Sequence, residues 1–158
     1  MTTPQVDELL AMGTLLATMG RQQEALDYFD QALQMDPTHS EVWFNKGLAL
    51  YELGRKQESL TCFEESAACN PQDPEPWINM DNVLADLGRH QEAVAALDQA
   101  IQLQPGDANT WFNKGTILAE MGQLQVALAC FERALQIDPD DREFRLAAQT
   151  CRNALCRS

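Results

Sequence analysis

The stretch SEVWFNKGLALYELGRKQESLTCFEESAACNPQD, residues 40–73, is one unit of a pattern that fills most of this 158-residue chain. Its glycine and its proline both recur at one constant interval, at Gly20, Gly54, Gly88 and Gly122 and at Pro37, Pro71, Pro105 and Pro139. A fixed period of a few tens of residues is typical of a solenoid, in which each unit is one supersecondary element stacked on its neighbours. The architecture is therefore expected to be repetitive, with a core distributed over the units.

Each unit predicts two helices. Trp43, Gly47 and Leu50 recur at steps of four and three, which indicates an amphipathic helix. Gly54 can adopt the left-handed conformation that often ends a helix. A second helical pattern follows, and it must end before Pro71 because the residue that precedes a proline is disfavoured in the α region. Asp73, Asp107 and Asp141 precede the next units and are predicted N-caps, whereas His39 has that position after the first unit and Thr38 or Ser40 is expected to cap there instead.

The same residue types fill the same positions in all four units. The first helices align as Leu9/Trp43/Trp77/Trp111, Gly13/Gly47/Asp81/Gly115 and Leu16/Leu50/Leu84/Leu118, and the second as Ala25/Ser59/Ala93/Ala127, Phe29/Phe63/Leu97/Phe131 and Ala32/Ser66/Ala100/Ala134. This set resembles the tetratricopeptide repeat, whose pattern is W-x-x-L-G-x-x-Y followed by Ala, Phe, Ala and Pro. The resemblance implies an all-α fold, a right-handed α-solenoid of antiparallel helix pairs.

The repeats are expected at 6–39, 40–73, 74–107 and 108–141, followed by a C-terminal capping helix at 142–158. The tail is assigned as a cap because Phe144, Ala148, Cys151 and Leu155 lie on one helical face. Asp81 is the one residue that breaks the glycine column, and we expect the third repeat to be the weakest layer for that reason.

Charge and composition exclude several classes of protein. The chain has 11 basic and 24 acidic residues, which argues against a nucleic-acid surface. The acidity is uneven, because the tail at 142–158 holds four arginines and a single glutamate. No apolar run is long enough to insert into a membrane, and no signal peptide is expected. Five cysteines without paired spacing fit a reducing cytoplasm.

No catalytic, cofactor-binding or metal-binding motif is present. The two histidines, His39 and His90, are expected in a connecting loop and near the start of a second helix. No glycine-rich phosphate loop and no metal-ligand spacing occurs. The chain is therefore not expected to be an enzyme or to bind a cofactor or metal.

A candidate binding surface follows from the face of each first helix that packing leaves over. It has an apolar column, a second column beside it and an amide column, namely Leu10/Phe44/Ile78/Phe112, Thr14/Leu48/Asn82/Thr116 and Ala11/Asn45/Asn79/Asn113. By the resemblance, this face is the concave groove that holds an extended peptide. A carboxamide both donates and accepts hydrogen bonds, so the asparagines can hold a peptide backbone; the alternative is that each bonds only to a neighbouring backbone group.

Acidic residues flank this surface on both sides. They are Asp7, Glu41 and Glu75 at one edge, and Glu52, Asp86 and Glu120 at the other. An apolar floor with acidic edges favours a protein or peptide partner that carries basic and apolar side chains.

One known subclass of the family is disfavoured. Members that bind the acidic C-termini of heat-shock chaperones need Lys and Asn in one repeat, Asn in the next, and Lys and Arg in the third. The corresponding residues are Leu10, Thr14, Asn45, Glu75 and Asn79 in one register, and Phe44, Leu48, Asn79, Asn109 and Asn113 in the next. Only the central asparagine is present in either register.

The sequence therefore predicts a non-catalytic module for protein–protein interaction. Two alternatives stay open at this point. One is a small acidic cytoplasmic chaperone for secretion or complex assembly, and the other is a scaffold that self-associates end to end through its first repeat.

Overall fold

The computed structural model describes residues 4–157, apart from the side chain of Pro4. Over this range the chain forms nine α-helices and no strand: α1 (Pro4–Thr18), α2 (Gln22–Met35), α3 (Ser40–Glu52), α4 (Lys56–Cys69), α5 (Glu75–Asp86), α6 (His90–Leu103), α7 (Ala108–Glu120), α8 (Leu124–Ile137) and α9 (Arg142–Leu155). Each repeat holds two helices, and α9 follows the fourth pair. The fold is an all-α solenoid of helix pairs.

The recurring glycines end the first helix of each pair. Their φ angles lie between 72° and 77°, the left-handed region in which a Cβ atom is strained. At Gly54 the amide donates to the carbonyl of Tyr51 and the next amide, that of Arg55, donates to the carbonyl of Leu50. This pair of bonds satisfies the last carbonyls of α3 and reverses the chain in a short turn.

Side chains cap the first helices at their N-termini. Asp107 accepts from the amides of Asn109 and Thr110, and Asp141 accepts from those of Glu143 and Phe144, as the sequence predicts. At the first connection the expected caps were Thr38 or Ser40, and this was wrong. His39 itself accepts from the amide of Val42 through Nδ1, at 3.4 Å.

The chain divides into two compact units, residues up to Val83 and residues from Leu84 onward. In the first unit, α1 packs on α2, α2 on α3 and α3 on α4. Its core is a cluster from α1–α4 that includes Val6, Leu16, Phe29, Val42 and Leu50.

The second unit is built in the same way. α7 packs on α6 and α8, and α9 packs on α8. Its core joins Leu118, Cys130 and Phe131 to Ala148 and Cys151 of α9.

The glycine column is required by the phenylalanine column. A Cβ atom at Gly47 would lie 2.7 Å from Cε1 of Phe63, and one at Gly115 would lie 2.6 Å from Cε1 of Phe131. These distances are far below van der Waals contact, so the ring occupies the space that a side chain on the first helix would need. Asp81, the exception in this column, is buried with 3% of its surface exposed.

Candidate peptide-binding surface

In the first unit, the predicted apolar and amide columns are half-buried. Phe44, Leu48 and Ile78 keep part of their surface exposed, as does Thr14. The Phe44 ring packs against that of Phe63, with centroids 5.7 Å apart and planes tilted by 51°. The inner edge of the surface is therefore fixed by the core, which limits how much its shape can adapt to a ligand.

Leu10 differs from the other members of the apolar column. Only 8% of its surface is exposed, and it belongs to the same buried cluster as Val6 and Val42. Its side chain contributes to the core of the first unit, so the expectation that Leu10 lies open on the surface is wrong. Spacing alone does not reveal this, because Leu10 has the same position in its repeat as Phe44, Ile78 and Phe112, although its side chain is enclosed by the core.

Two of the three aligned asparagines bond to their own helix. Nδ2 of Asn45 donates to the carbonyl of Glu41 at 2.8 Å, and Nδ2 of Asn79 donates to that of Glu75 at 2.9 Å. In the part of the second unit that the structure describes, Asn113 makes no equivalent bond to the carbonyl of Asn109. These bonds use one of the four hydrogen-bonding positions of each amide and hold its orientation.

The acidic residues assigned to the two edges are exposed. Glu41, Glu52 and Glu75 lie on the first unit and Asp86 and Glu120 on the second. Asn82, Asn109 and Thr116 are exposed as well. Charges in this setting act on a ligand mainly through attraction that salt screens.

The second unit contains an open apolar groove with a volume of about 530 Å³. Its lining comes from α7, α8 and α9 and includes Phe112, Thr116, Leu124, Leu146, Ala147 and Thr150. Two exposed carboxylates, Glu120 and Glu143, also line it, whereas no lysine or arginine does among the described residues. Three residues of this lining, Phe112, Thr116 and Glu120, were predicted from the sequence.

The other wall of the groove is α9, whose residues the sequence reading did not assign to a site. α9 lies where the first helix of a fifth repeat would lie. Nη2 of Arg145 donates to the carbonyl of Pro139 at 2.8 Å, just as Nε1 of Trp111, one repeat earlier, donates to that of Pro105 at 3.1 Å. Phe144 packs against Phe112 with ring centroids 4.8 Å apart. Continuing the register of the repeats would have placed Leu146 in the column of Phe112 and Thr150 in that of Thr116.

The predicted capping face of α9 is buried. Phe144, Ala148 and Cys151 have 4% or less of their surface exposed, whereas Leu155, the fourth residue of this predicted face, is half-buried. The Cys151 thiol donates to the carbonyl of Leu124 at 3.0 Å. The helix therefore closes the hydrophobic cluster around Phe131, while the adjacent side, which carries Ala147 and Thr150 and shares Cys151, forms the groove wall.

The thiols and carboxylates of the described residues show no arrangement typical of a reactive site. Burial raises the pKa of the Cys62 thiol to about 11, and it also raises the pKa of Cys130. Both therefore stay protonated near neutral pH and behave as small apolar residues. Within residues 4–157 no group of three or more His, Cys, Asp or Glu side chains is placed to hold a metal ion. None of the described helices is both long and apolar enough to cross a membrane.

Comparison with protein families shows to which family the chain belongs. The model of the cilia and flagella-associated protein 70 C-terminal domain matches residues 4–157, almost the whole chain. The chain belongs to this family of tetratricopeptide repeat proteins. Comparison with curated proteins gives no match.

Solved structures of other tetratricopeptide repeat proteins share the fold at low sequence identity. MamA from Desulfovibrio magneticus RS-1, from residue 41 to its end, is 17% identical with a TM-score of 0.83, over 99% of this chain and 94% of that one. YrrB, described as a TPR protein with an unusual peptide-binding site, is 22% identical with a TM-score of 0.79, over 90% of this chain and 74% of that one. The first TPR of Spaghetti (RPAP3), bound to the HSP90 peptide SRMEEVD, is 20% identical with a TM-score of 0.70, over 74% of this chain and 93% of that one.

Proposed function

We propose that this tetratricopeptide repeat protein is a non-catalytic interaction module that binds a short segment of a partner protein in a groove of its second unit. The observation that carries the proposal is the groove between α7, α8 and α9, which is largely apolar and open to solvent. Its volume of about 530 Å³ lies within the range of known ligand sites. Two structurally similar proteins are described as peptide-binding, which supports this class of ligand.

The chemistry of the groove defines its ligand. Phe112, Leu124 and Leu146 offer apolar contact to one or two apolar side chains. Glu120 and Glu143 can form ion pairs with a lysine or arginine that lies next to these apolar side chains in the ligand. An acidic segment such as the SRMEEVD peptide of the RPAP3 structure would meet these carboxylates and be repelled.

The asparagine column extends the proposal to the backbone of the ligand. Asn113 is half-buried on α7, one position after Phe112, and its side-chain amide is available to accept and to donate hydrogen bonds. Within the first unit, taken by itself, Asn45 and Asn79 keep their Oδ1 atoms as hydrogen-bond acceptors, because only Nδ2 is used within the helix. Five free cysteines fit a reducing cytoplasmic location for such a module.

The test uses peptides selected from a random display library on the full chain, with affinity measured by calorimetry. We expect selected peptides to combine an apolar anchor with Lys or Arg. Thr150→Arg, which places a long cation in the groove, should weaken binding by at least roughly 10-fold, since about 1.4 kcal/mol of contact is lost. Gln149→Arg adds the same charge at the neighbouring α9 position outside the groove lining and serves as the matched control.

Further variants separate the parts of the proposed site. Glu120→Gln should weaken binding several-fold at low salt and less at high salt, because salt screens exposed charges. Asn113→Ala should weaken it about 2- to 10-fold, the value of one backbone hydrogen bond. Equal affinity for all variants with unchanged circular dichroism would move the ligand off this surface, and selection of acidic peptides would overturn the proposed ligand chemistry.

A further inference from the structure

One side of α1 carries an exposed stripe that plays no part in the groove. Glu8, Met12, Leu15 and Met19 follow one another at steps of four, three and four, and we call them the end face of α1. Met12, Leu15 and Met19 are 43%, 53% and 61% exposed, which places three of the largest open apolar side chains of the described chain side by side. Such a contiguous apolar stripe is typical of a surface that a partner covers.

The repeat register shows what this face is built for. The positions of Glu8 and Leu15 are buried in each later first helix, where they are occupied by Val42 and Ala49, Pro76 and Val83, Thr110 and Ile117, and Phe144 and Cys151. Where α3, α7 and α9 follow a second helix, they pack on it: α3 on α2, α7 on α6 and α9 on α8. The end face of α1 is therefore a helix-packing surface that no described residue covers.

This face differs in charge from those of α3 and α7, whereas α5 also has a methionine, the buried Met80, at the position of Met12. At the position of Met12, α3 carries Lys46 and α7 carries Lys114, and these pair with Asp30 and Asp98 of the preceding helices at 2.6 and 2.5 Å. α1 has methionine there and a carboxylate, Glu8, four residues earlier. α2 and α6 pack on α3 and α7 and present Asp30 and Asp98 to these lysines. A helix with an aspartate at the same position would gain no ion pair at Met12, and its charge would repel that of Glu8.

The outer side of α9 has the complementary chemistry. Arg142, Arg145, Leu146 and Gln149 line a shallow cavity of about 330 Å³, and Leu146 is 68% exposed. Where earlier first helices have Trp111, Gly115 and Leu118 for packing against their own second helix, α9 has Arg145, Gln149 and Arg152. α9 therefore offers guanidinium groups around one apolar side chain at the position where the repeat pattern stops.

We propose that copies of this chain associate end to end, with the end face of α1 of one copy on the outer side of α9 of the next. Met12 and Leu15 would cover Leu146, and Glu8 would approach Arg142, whose side chain makes no ion pair in the described structure. Charge selects this pairing: residues 1–141 hold 7 basic and 23 acidic side chains, whereas residues 142–158 hold four arginines and one glutamate. A symmetric contact between two copies of α1 would instead bring two acidic surfaces together.

The contact is expected to be weak and concentration-dependent. One helix face on another buries less surface than the roughly 1,200–2,000 Å² of a stable interface. Because its two sides differ, the interface is heterologous. Each added copy covers one free surface and supplies another of the same kind, to which a further copy can bind. Sedimentation velocity of the wild-type chain at low salt should show an average mass that rises with concentration, and added salt should reverse the rise.

Two variants block one side each. Met12→Gln/Leu15→Gln removes the apolar stripe of α1, and Arg142→Glu/Gln149→Glu reverses the charge of the α9 cavity without altering the lining of the groove. Each variant alone should remain a monomer at every concentration. An equimolar mixture should form a 1:1 dimer and stop there, because only one intact pair of surfaces remains. Val126→Glu, at an apolar α8 residue that is 51% exposed, is the matched control and should associate like the wild type.

Other outcomes overturn the proposal. A wild-type chain that stays monomeric at concentrations up to about 1 mM would contradict the proposal, because a dissociation constant above that value corresponds to very weak binding. If the α9 variant dimerises alone while the α1 variant does not, the contact is α1 on α1 and the assignment of α9 is wrong. Leu146 lines both the groove and the α9 cavity, whereas Thr150 lines only the groove, so Thr150→Arg should weaken peptide binding and leave the wild-type association unchanged.

Discussion

Adding a single methyl group at Gly115 tests whether the repeat depends on the contact between its glycine and phenylalanine columns. A Cβ atom there would lie 2.6 and 2.8 Å from Cε1 and Cδ1 of Phe131 and 3.2 Å from the carbonyl oxygen of Ala127. Phe131 is 3% exposed and packs against Phe112 at 5.5 Å, so it cannot swing away without displacing a second ring.

The expected magnitude is the difference between two opposing effects. Overpacking a filled core costs about 1–3 kcal/mol. Replacing glycine by alanine within a helix returns about 1 kcal/mol. Gly115→Ala should therefore lower the free energy of unfolding by about 0–2 kcal/mol, with a central value of about 1 kcal/mol.

A double-mutant cycle isolates the contact. Phe131→Leu alone leaves a cavity and should cost about 1–2 kcal/mol, below the range for complete truncation to alanine. In Gly115→Ala/Phe131→Leu the new methyl group occupies part of that cavity, so the double variant should be more stable than the two single effects predict by about 1 kcal/mol or more. The third repeat already differs from the others at both corresponding positions, Asp81 and Leu97.

Urea unfolding followed by circular dichroism measures these free energies. Gly106→Ala is the matched control, because a Cβ atom there would meet nothing within 4 Å, and its effect should stay within about 0.5 kcal/mol. A Gly115→Ala variant as stable as the wild type, together with a coupling energy below about 0.3 kcal/mol, would refute the reasoning.

Three further predictions concern ionisable side chains, one an aspartate and two the cysteines. Asp81→Gly should raise the melting temperature, because removing a buried carboxylate is worth about 1–3 kcal/mol; a lower melting temperature in Asp81→Gly would contradict this. Burial holds the folded-state pKa of Cys62 at about 11, above its usual value, so its contribution to stability is full below about pH 9 and should decline as the pH rises towards 11. At pH 8, iodoacetamide should alkylate the exposed Cys156 much faster than Cys62, and equal rates would refute the assignment.

Much of the fold could be predicted because the same local signals for helix formation and helix ends recur in all four repeats. The glycine and proline columns locate the helix ends, and Asp107 and Asp141 cap the helices that the sequence assigns to them. The capping face of α9 could also be predicted, since Phe144, Ala148 and Cys151 follow helical spacing. His39 was missed because an imidazole can accept a backbone hydrogen bond only in a favourable side-chain geometry, which sequence does not specify.

The candidate site was only partly predictable. Spacing identified Phe112, Thr116 and Glu120, because residues on one face of a helix share a side whatever surrounds them. It could not show that Leu10 is enclosed, since burial depends on neighbouring helices that are distant in sequence. Spacing also assigned only a capping role to α9, although the side of this helix next to its buried face lines the groove.

The sequence by itself determined the number of repeats, the class of fold and the positions of the helix boundaries, because these depend on backbone preferences within a single repeat. Tertiary structure alone decided that Leu10 is enclosed, that α9 forms one wall of an apolar groove, and that the end face of α1 stays open. Each of these depends on which surfaces a neighbouring helix covers, and that is a property of packing between elements rather than of any one stretch of sequence.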